Sequence, residues 1–385
     1  MVNGVYLSLL AGPVKPLPVP SSVINSLTSV RVTNASTEDS RKDELPRFAR
    51  SGFELEFQLT RNSPLEALFP LTGSVPPLVR IILVVTINGR QQVIIDGFIQ
   101  KHKITPGTGT NPPKLTLYGK DLTVAMDLVD YSGLPYPAVP VAGRVALMLT
   151  KYAVLGVIPK IIPPVFDEVS DPSEKILSQK GTDYTYLSTL ARDRGYVFYI
   201  EPGPSPGTSQ AYWGPEIKIG TPQPALNLDM DTFTNVNSLS FDFDNEHNKT
   251  PVMWIRPDEI PVPIPIPIPD INLLNPTLAN ISPTAFRKEP LSNVARMSFP
   301  QAMQYGLARS SAAAECVTAE GVLNVARYGR LLKARQLVGV RGAGKAFDGL
   351  YYVKSVTHEI KRGEYLQSFK LSRNGLVSTV SRVPV

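Results

Sequence analysis

The sequence predicts a mainly β protein with α+β insertions, and three observations carry that prediction. Phe53, Leu55, Phe57 and Leu59 alternate with Glu54, Glu56 and Gln58, the period-two pattern of a half-buried strand. Two apolar runs, 79–87 and 92–99, are separated by Asn88-Gly89. A type I′ turn needs positive φ at both central positions, so Asn-Gly between such runs is a strong hairpin signal. Finally, 37 prolines and 27 glycines among 385 residues make about one residue in six a turn former. Such a composition suits short strands and many turns and disfavours a helical bundle.

Taken in order, residues 1–122 read as a first antiparallel β unit, with a further strand at 115–118 and a polar loop at 34–42. Residues 123–225 change to α+β. Val145, Met148, Leu149 and Tyr152 fall at helical spacing. Asp171-Pro172-Ser173-Glu174 combines a cap, a proline suited to the first turn and a carboxylate able to reach back. A second helix at 183–194 carries Leu187, Leu190 and Ala191 on one face and stops at Gly195; an aromatic strand, 196–201, follows. The turn at 202–210, the strand at 212–214 and another at 217–219 complete that unit. Alternation at 237–244 opens a second β unit, 226–255 and 315–385, split by an insert at 256–314. Within the insert, IPVPIPIPIPD at 260–270 loses every second backbone donor. It reads as an extended strap or docking strip, not as a central strand. A helix is expected at 298–315, with Pro300 near its start.

The last fifth holds apolar runs at 337–340, 350–356 and 366–371, punctuated by Gly342, Gly344, Gly349 and Gly363. These are strands joined by tight turns. Gly339, Gly344 and Lys345 match most of a phosphate-binding loop. However, Ala346 replaces the hydroxyl that reaches magnesium, and no helix pattern follows, so a hairpin loop is expected.

Two stretches carry a family resemblance. FDGLYYVKSVTHEIKRGEYLQSFKLSRNGL contains a G-x-Y-x-V-x-x-V-x-H run on Gly349, Tyr351, Val353, Val356 and His358. A G-x-Y-x-x-x-F-x-L-x-R run follows on Gly363, Tyr365, Phe369, Leu371 and Arg373. Upstream, Leu190, Ala191, Gly195, Tyr196, Phe198 and Tyr199 form L-A-x-x-x-G-Y-x-F-Y. The chain resembles the baseplate hub, or late control protein D, family of contractile phage tails and injection systems, which includes the hub part of the type VI secretion spike protein. The resemblance implies two tail-tube-like antiparallel β-barrels and a homotrimer. Such a trimer adapts a sixfold tail tube to a threefold spike around a channel through which DNA or protein cargo passes. In the secretion-spike form a barrel and a β-helical needle follow the hub part. Here the sequence stops after the hub strands, so the spike is expected to be a separate protein. The implied location is the baseplate of an assembled tail or particle, after folding in a bacterial cytoplasm.

The residues themselves offer little chemistry. The histidines, His102, His247 and His358, are far apart, and Asp242, Asp244, Glu246 and His247 read as a solvated strand end rather than a cation site. No H-E-x-x-H, C-x-x-C or G-x-S-x-G motif occurs. One cysteine, Cys316, excludes an internal disulfide. Net charge of +6 is spread along the chain. Arg327, Arg330, Lys333 and Arg335 form a solvated face, pair across an interface, or face a channel. Tyr351, Tyr352 and Tyr365 read as packing. No apolar run reaches the ~18 residues of a membrane span. No catalytic, cofactor or metal residue is assigned. The rival readings are a tail-associated cell-wall hydrolase, for which two carboxylates suffice, and a nucleic-acid-binding module.

Overall fold

The computed structural model describes residues 4–35, 50–60, 65, 79–165, 173, 176–255, 264–269, 275–281, 284–292, 294 and 297–380. Most of the expected loop at 34–42, the helix start at Asp171–Glu174 except Ser173, and residues 260–263 and 270 of the proline strap lie outside them.

The first wing comprises β1 (Val5–Gly12), β2 (Leu17–Pro18), β3 (Leu27–Ala35), β4 (Gly52–Gln58), β5 (Arg80–Ile87), β6 (Arg90–Thr105) and β7 (Lys114–Asp121). Its spatial order is β2-β1-β5-β6-β7-β4-β3. In β4 the alternation is realised: Phe53, Leu55 and Phe57 are buried, whereas Glu54 and Glu56 lie on the opposite face. Asn88 and Gly89 join β5 to β6 with φ of 48° and 77°, both in the left-handed region that the turn requires.

The α+β region follows: β8 (Pro135–Tyr136), the helix Val141–Thr150, β9 (Val157–Ile161), β10 (Leu177–Ser178), the helix Asp183–Arg192, β11 (Val197–Pro202) and β12 (Ser209–Gly214). Thr182 caps the second helix by accepting from the Thr185 N–H, and Gly195 (φ 64°) turns the chain into β11. Both helices pack with β11-β12-β9 around Leu149, Leu187, Phe198 and Trp213, a core of its own. Residues 217–219, expected as a strand, form none. Lys218 is drawn instead into a buried ion network.

The second wing uses β13 (Gln223–Asn227) and β14 (Val236–Phe243). After the insert come β19 (Val317–Asn324), β20 (Leu337–Arg341), β21 (Gly349–Lys361) and β22 (Glu364–Arg373). Between β14 and β19 lie β15 (Lys249–Ile255), which precedes the expected insert boundary at 256 yet joins no strand of the wing, and then β16 (Ile264–Pro267), β17 (Ala279–Ile281), β18 (Arg287–Pro290) and the helix Phe299–Ala313 of the insert; β23 (Leu376–Ser378) later pairs with β17. β14 pairs with β19 across the insert, and the order runs β14-β19-β22-β21, with β20 and then β13 off β21.

Separate closed barrels are not formed among the described residues; the two wings are one continuous sheet. The reason lies in β21. Its residues 349–352 pair with β20, its ladder shifts between Val353 and Ser355, and residues 355–361 then pair with β3 of the first wing. A bulge redirects a strand and lets one edge serve two partners. The main core accordingly runs through both wings, from Val5, Leu55 and Leu83 to Val338, Tyr351 and Phe369.

In the insert, β16 is an edge strand on β15. The Ile268 N–H donates to the Pro251 carbonyl, which fixes the phase of the ladder. Ile264 and Ile266 therefore point their N–H groups at β15, and Pro265 and Pro267 occupy the outward positions. Prolines are tolerated in a sheet only where no ladder donor is needed. The described part of the strap, Ile264–Pro267, is thus an edge strand, as its exclusion from a sheet centre requires.

Candidate assembly surface

The two wings repeat one four-strand plan. β3-β4-β7-β6 in the first corresponds to β14-β19-β22-β21 in the second, in both space and chain order. The irregularities correspond as well. β3 shifts register between Leu27 and Ser29, as β14 does between Val236 and Ser238. β6 shifts between Ile99 and Lys101, as β21 does between Val353 and Ser355. With the shifts aligned, cross-strand rows match: Arg31-Glu54-Tyr118-Lys101 in one wing and Ser240-Glu320-Lys370-Ser355 in the other.

These rows form one polar plane across both wings, opposite the core. Lys370 pairs with Glu320 at 2.6 Å and Lys114 with Glu56 at 2.9 Å. At the seam between wings, Arg31 meets Glu359 at 2.8 Å and the Thr33 and Thr357 hydroxyls lie 3.1 Å apart. Exposed pairs of this kind contribute under about 1 kcal/mol each, so they keep a surface wet and specific rather than hold the fold.

Buried ion groups do the anchoring. Arg80 of β5 grips Asp96 of β6 with two bonds of 2.7 Å and donates to the carbonyls of Val14 and Leu155. The Ser209 hydroxyl donates to the same carboxylate, so β9 and β12 are tied to the first wing. At the β21 bulge, Lys354 reaches Glu315 at 2.8 Å, and Lys218 contacts Glu315 and Glu216. Burial alone would raise the Glu315 carboxyl, but the two ammonium groups overcome this and hold it at about 2. Burial alone would lower Lys218, yet the two carboxylates keep its ammonium above the ordinary value.

The candidates singled out in the sequence are dispersed. His102 is exposed on β6, His247 ends a short turn after β14, and His358 is buried in β21 with Nδ1 2.7 Å from the Tyr365 hydroxyl. Burial lowers the His358 imidazole to about 4. Asp242, Asp244 and Glu246 are exposed at the end of β14, where Asp244 accepts from the Glu246 N–H. Among the described residues, no cluster of three or more His, Cys, Asp or Glu side chains could hold a metal. Cys316 is buried.

Arg327, Arg330 and Lys333 are solvated, but Arg335 is not. Its guanidinium stacks 4.0 Å from the Tyr199 ring centroid and donates to the Ala35 carbonyl. It is a three-way structural tie, and a basic cluster in sequence gave no hint of it. Gly339 lies in β20 and Lys345 at an exposed hairpin turn into β21, where the Ala346 carbonyl accepts from Arg373. No helix stands behind that loop to hold a phosphate. Tyr351, Tyr352 and Tyr365 are buried packing residues. The polar plane and the joining of the two units into one sheet were missed, since neither leaves a motif.

No protein-family model and no curated protein matches the chain. Solved structures do. A tail protein from Neisseria meningitidis MC58 superposes with a TM-score of 0.61 at 13% identity, covering 97% of this chain and 98% of that one. The 43 kDa tail protein of prophage MuSo2 from Shewanella oneidensis gives 0.62 at 14% identity, over 96% and 98%. An E. coli type VI secretion component, described as similar to the T4 phage tail proteins gp27 and gp5, gives 0.54 at 11% identity, over 94% and 78%. The chain therefore has the fold of phage tail proteins, shared with a type VI secretion component. Among its described residues no helix is long and apolar enough to cross a membrane.

Proposed function

We propose that this chain is a structural, non-enzymatic baseplate hub of a contractile tail or injection system, acting as a homotrimer between a sixfold tail tube and a threefold spike. The observation that carries the reading is the repeated wing plan within one sheet. A chain with two like units side by side lets three copies offer six similar docking surfaces, which solves the symmetry mismatch. Each wing stands in for one tube-like unit: 1–122, and 226–255 with 315–385, apart from β15 at 249–255, which pairs with β16 and β18 instead. The α+β unit 123–225 and the insert 256–314 sit outside the ring. The polar plane lines the channel, where hydroxyls and paired charges let DNA or protein cargo slide without sticking. Other baseplate proteins complete its surroundings in the assembled particle.

Imaging of the purified chain and of assembled particles, with mass measurement, tests this. The expected result is a three-copy ring with a central lumen; particles whose baseplate holds the chain without threefold symmetry sink it. Turnover of peptidoglycan by the purified chain would move the assignment to a hydrolase.

A further inference from the structure

The internal seam of this chain is a template for its contact with the next copy. We propose that residues 101–105 of β6 pair antiparallel with β14 of a second copy, setting Lys101 opposite Asp244 and Lys103 opposite Asp242 of the neighbour. The inference rests on the ring reading above and names the surface that would close the ring.

Both edges are open among the described residues. β5 accompanies β6 only as far as Phe98, where Arg80 is its last partner, and the Ile99 N–H bonds to the Val79 carbonyl. Beyond that point β6 pairs on one side alone, with β7. β14 pairs with β19 alone. The register shifts lie before the pairing stretches, at Ile99/Lys101 and Val236/Ser238, and neither 101–105 nor 240–244 carries a proline that would blunt it, in contrast to β16.

The strand directions allow the join. Every neighbour along β14-β19-β22-β21-β3-β4-β7-β6 is antiparallel. Eight alternating strands leave β6 running opposite to β14. A head-to-tail neighbour therefore continues the alternation unbroken, and head-to-tail contacts close into rings.

The register comes from the seam. β21 corresponds to β6 and β3 to β14, with their bulges aligned. Within the chain Ser355 faces Ala35, Thr357 faces Thr33 and Glu359 faces Arg31. Transferred to β6 and β14, those three pairs become Lys101 with Asp244, Lys103 with Asp242, and Thr105 with Ser240. Lys101, Lys103, Asp242 and Asp244 are all exposed, and all lie on the polar plane. On the opposite face, Ile104, 47% exposed, meets Phe241. Two opposite-charge pairs and one apolar pair thus arise in a register fixed without reference to charge. A slip of two residues one way sets Lys103 opposite Ser240, the slip of two the other way runs Lys101 past β14 onto Glu246 in the turn Asn245–His247, and a slip of one puts the charges on opposite faces.

The test uses the full chain. A Lys103→Cys, Asp242→Cys variant should give, under mild oxidation, a covalent ladder ending in a closed oligomer. Lys103→Cys with Ser238→Cys should not, since the partner then lies roughly 13 Å along the strand. The parent chain, with Cys316 buried, should give no ladder. Lys103→Asp or Asp242→Lys alone should weaken self-association about tenfold or more, and the two together should restore most of it. Rings without the ladder and without rescue would overturn this interface and leave the hub reading intact. Particles lacking any ring of this chain would overturn both.

Discussion

The two wings share a plan and fill it with opposite chemistry. At the end of β7, Asp121 is buried and accepts from the backbone N–H groups of Ser51 and Thr123 at 2.9 and 3.0 Å. At the matching end of β22, Arg373 is buried and donates to the carbonyls of Ala346, Asp348 and Gly375 at 2.7–2.9 Å. Both positions close loose backbone ends that the ladder cannot serve. The sign of the side chain follows from which groups are orphaned, N–H in one wing and C=O in the other. A repeat of topology fixes where a side chain must intervene, not what it must be.

The wings also differ in how they hold the α+β region, and the largest effects should come from breaking those holds. Asp96→Ala strands the Arg80 guanidinium, which is 2% exposed, and should cost about 3–5 kcal/mol in denaturant unfolding. Asp96→Leu with Arg80→Met removes both charges and should recover much of that loss. Recovery of nothing would mean that the carbonyl contacts of Arg80, not its pairing with Asp96, secure the first wing.

Acid should act on the second wing in two stages. His358 has a folded pKa of about 4, below the ordinary 6.5, so the unfolded chain binds the proton first. Stability should be full above pH 6.5 and fall by up to about 3 kcal/mol as pH drops toward 4. Glu315, held at about 2, contributes stability that is present above pH 4.5 and lost only below it. His358→Gln should flatten the first stage and leave the second; thermal melts across pH 3–7 would show it, and an unchanged profile would refute the assignment.

The hairpins make the smallest contrast. At Gly342 (φ 87°) a Cβ would stand 2.1 Å from the Leu228 carbonyl oxygen, where β13 and β20 meet, whereas at Gly89 (φ 77°) it would meet nothing. Gly89→Ala should cost about 1 kcal/mol from the backbone alone. Gly342→Ala should cost clearly more in the same melt; equal losses would mean that the β13–β20 contact yields easily.

Local order was legible in the sequence and long-range order was not. The alternation in β4, the Asn-Gly turn, the helix ending at Gly195 and the closing strands each write their period into neighbouring residues. The join of β21 to β3 links residues such as Glu359 and Arg31, which are far apart in sequence and close only in space. No period records such a contact, and where the resemblance implied two barrels one sheet runs on. The same limit hid the Lys218-Glu315-Lys354 group, whose members come from three distant segments. Residues 217–219 have a strand-like composition, but they join no ladder, and Lys218 is held by Glu216 and Glu315 instead.

The isoleucine-proline edge has a bearing on crowding. A β-rich chain at high local concentration has many sheet margins near one another. Along β16 the outward positions are Pro265 and Pro267, which present carbonyl oxygens and no amide hydrogens. A second such margin laid against it would find acceptor facing acceptor. Stacking of copies into fibres is thereby refused at this margin, while a neighbour that brings its own donors is still admitted.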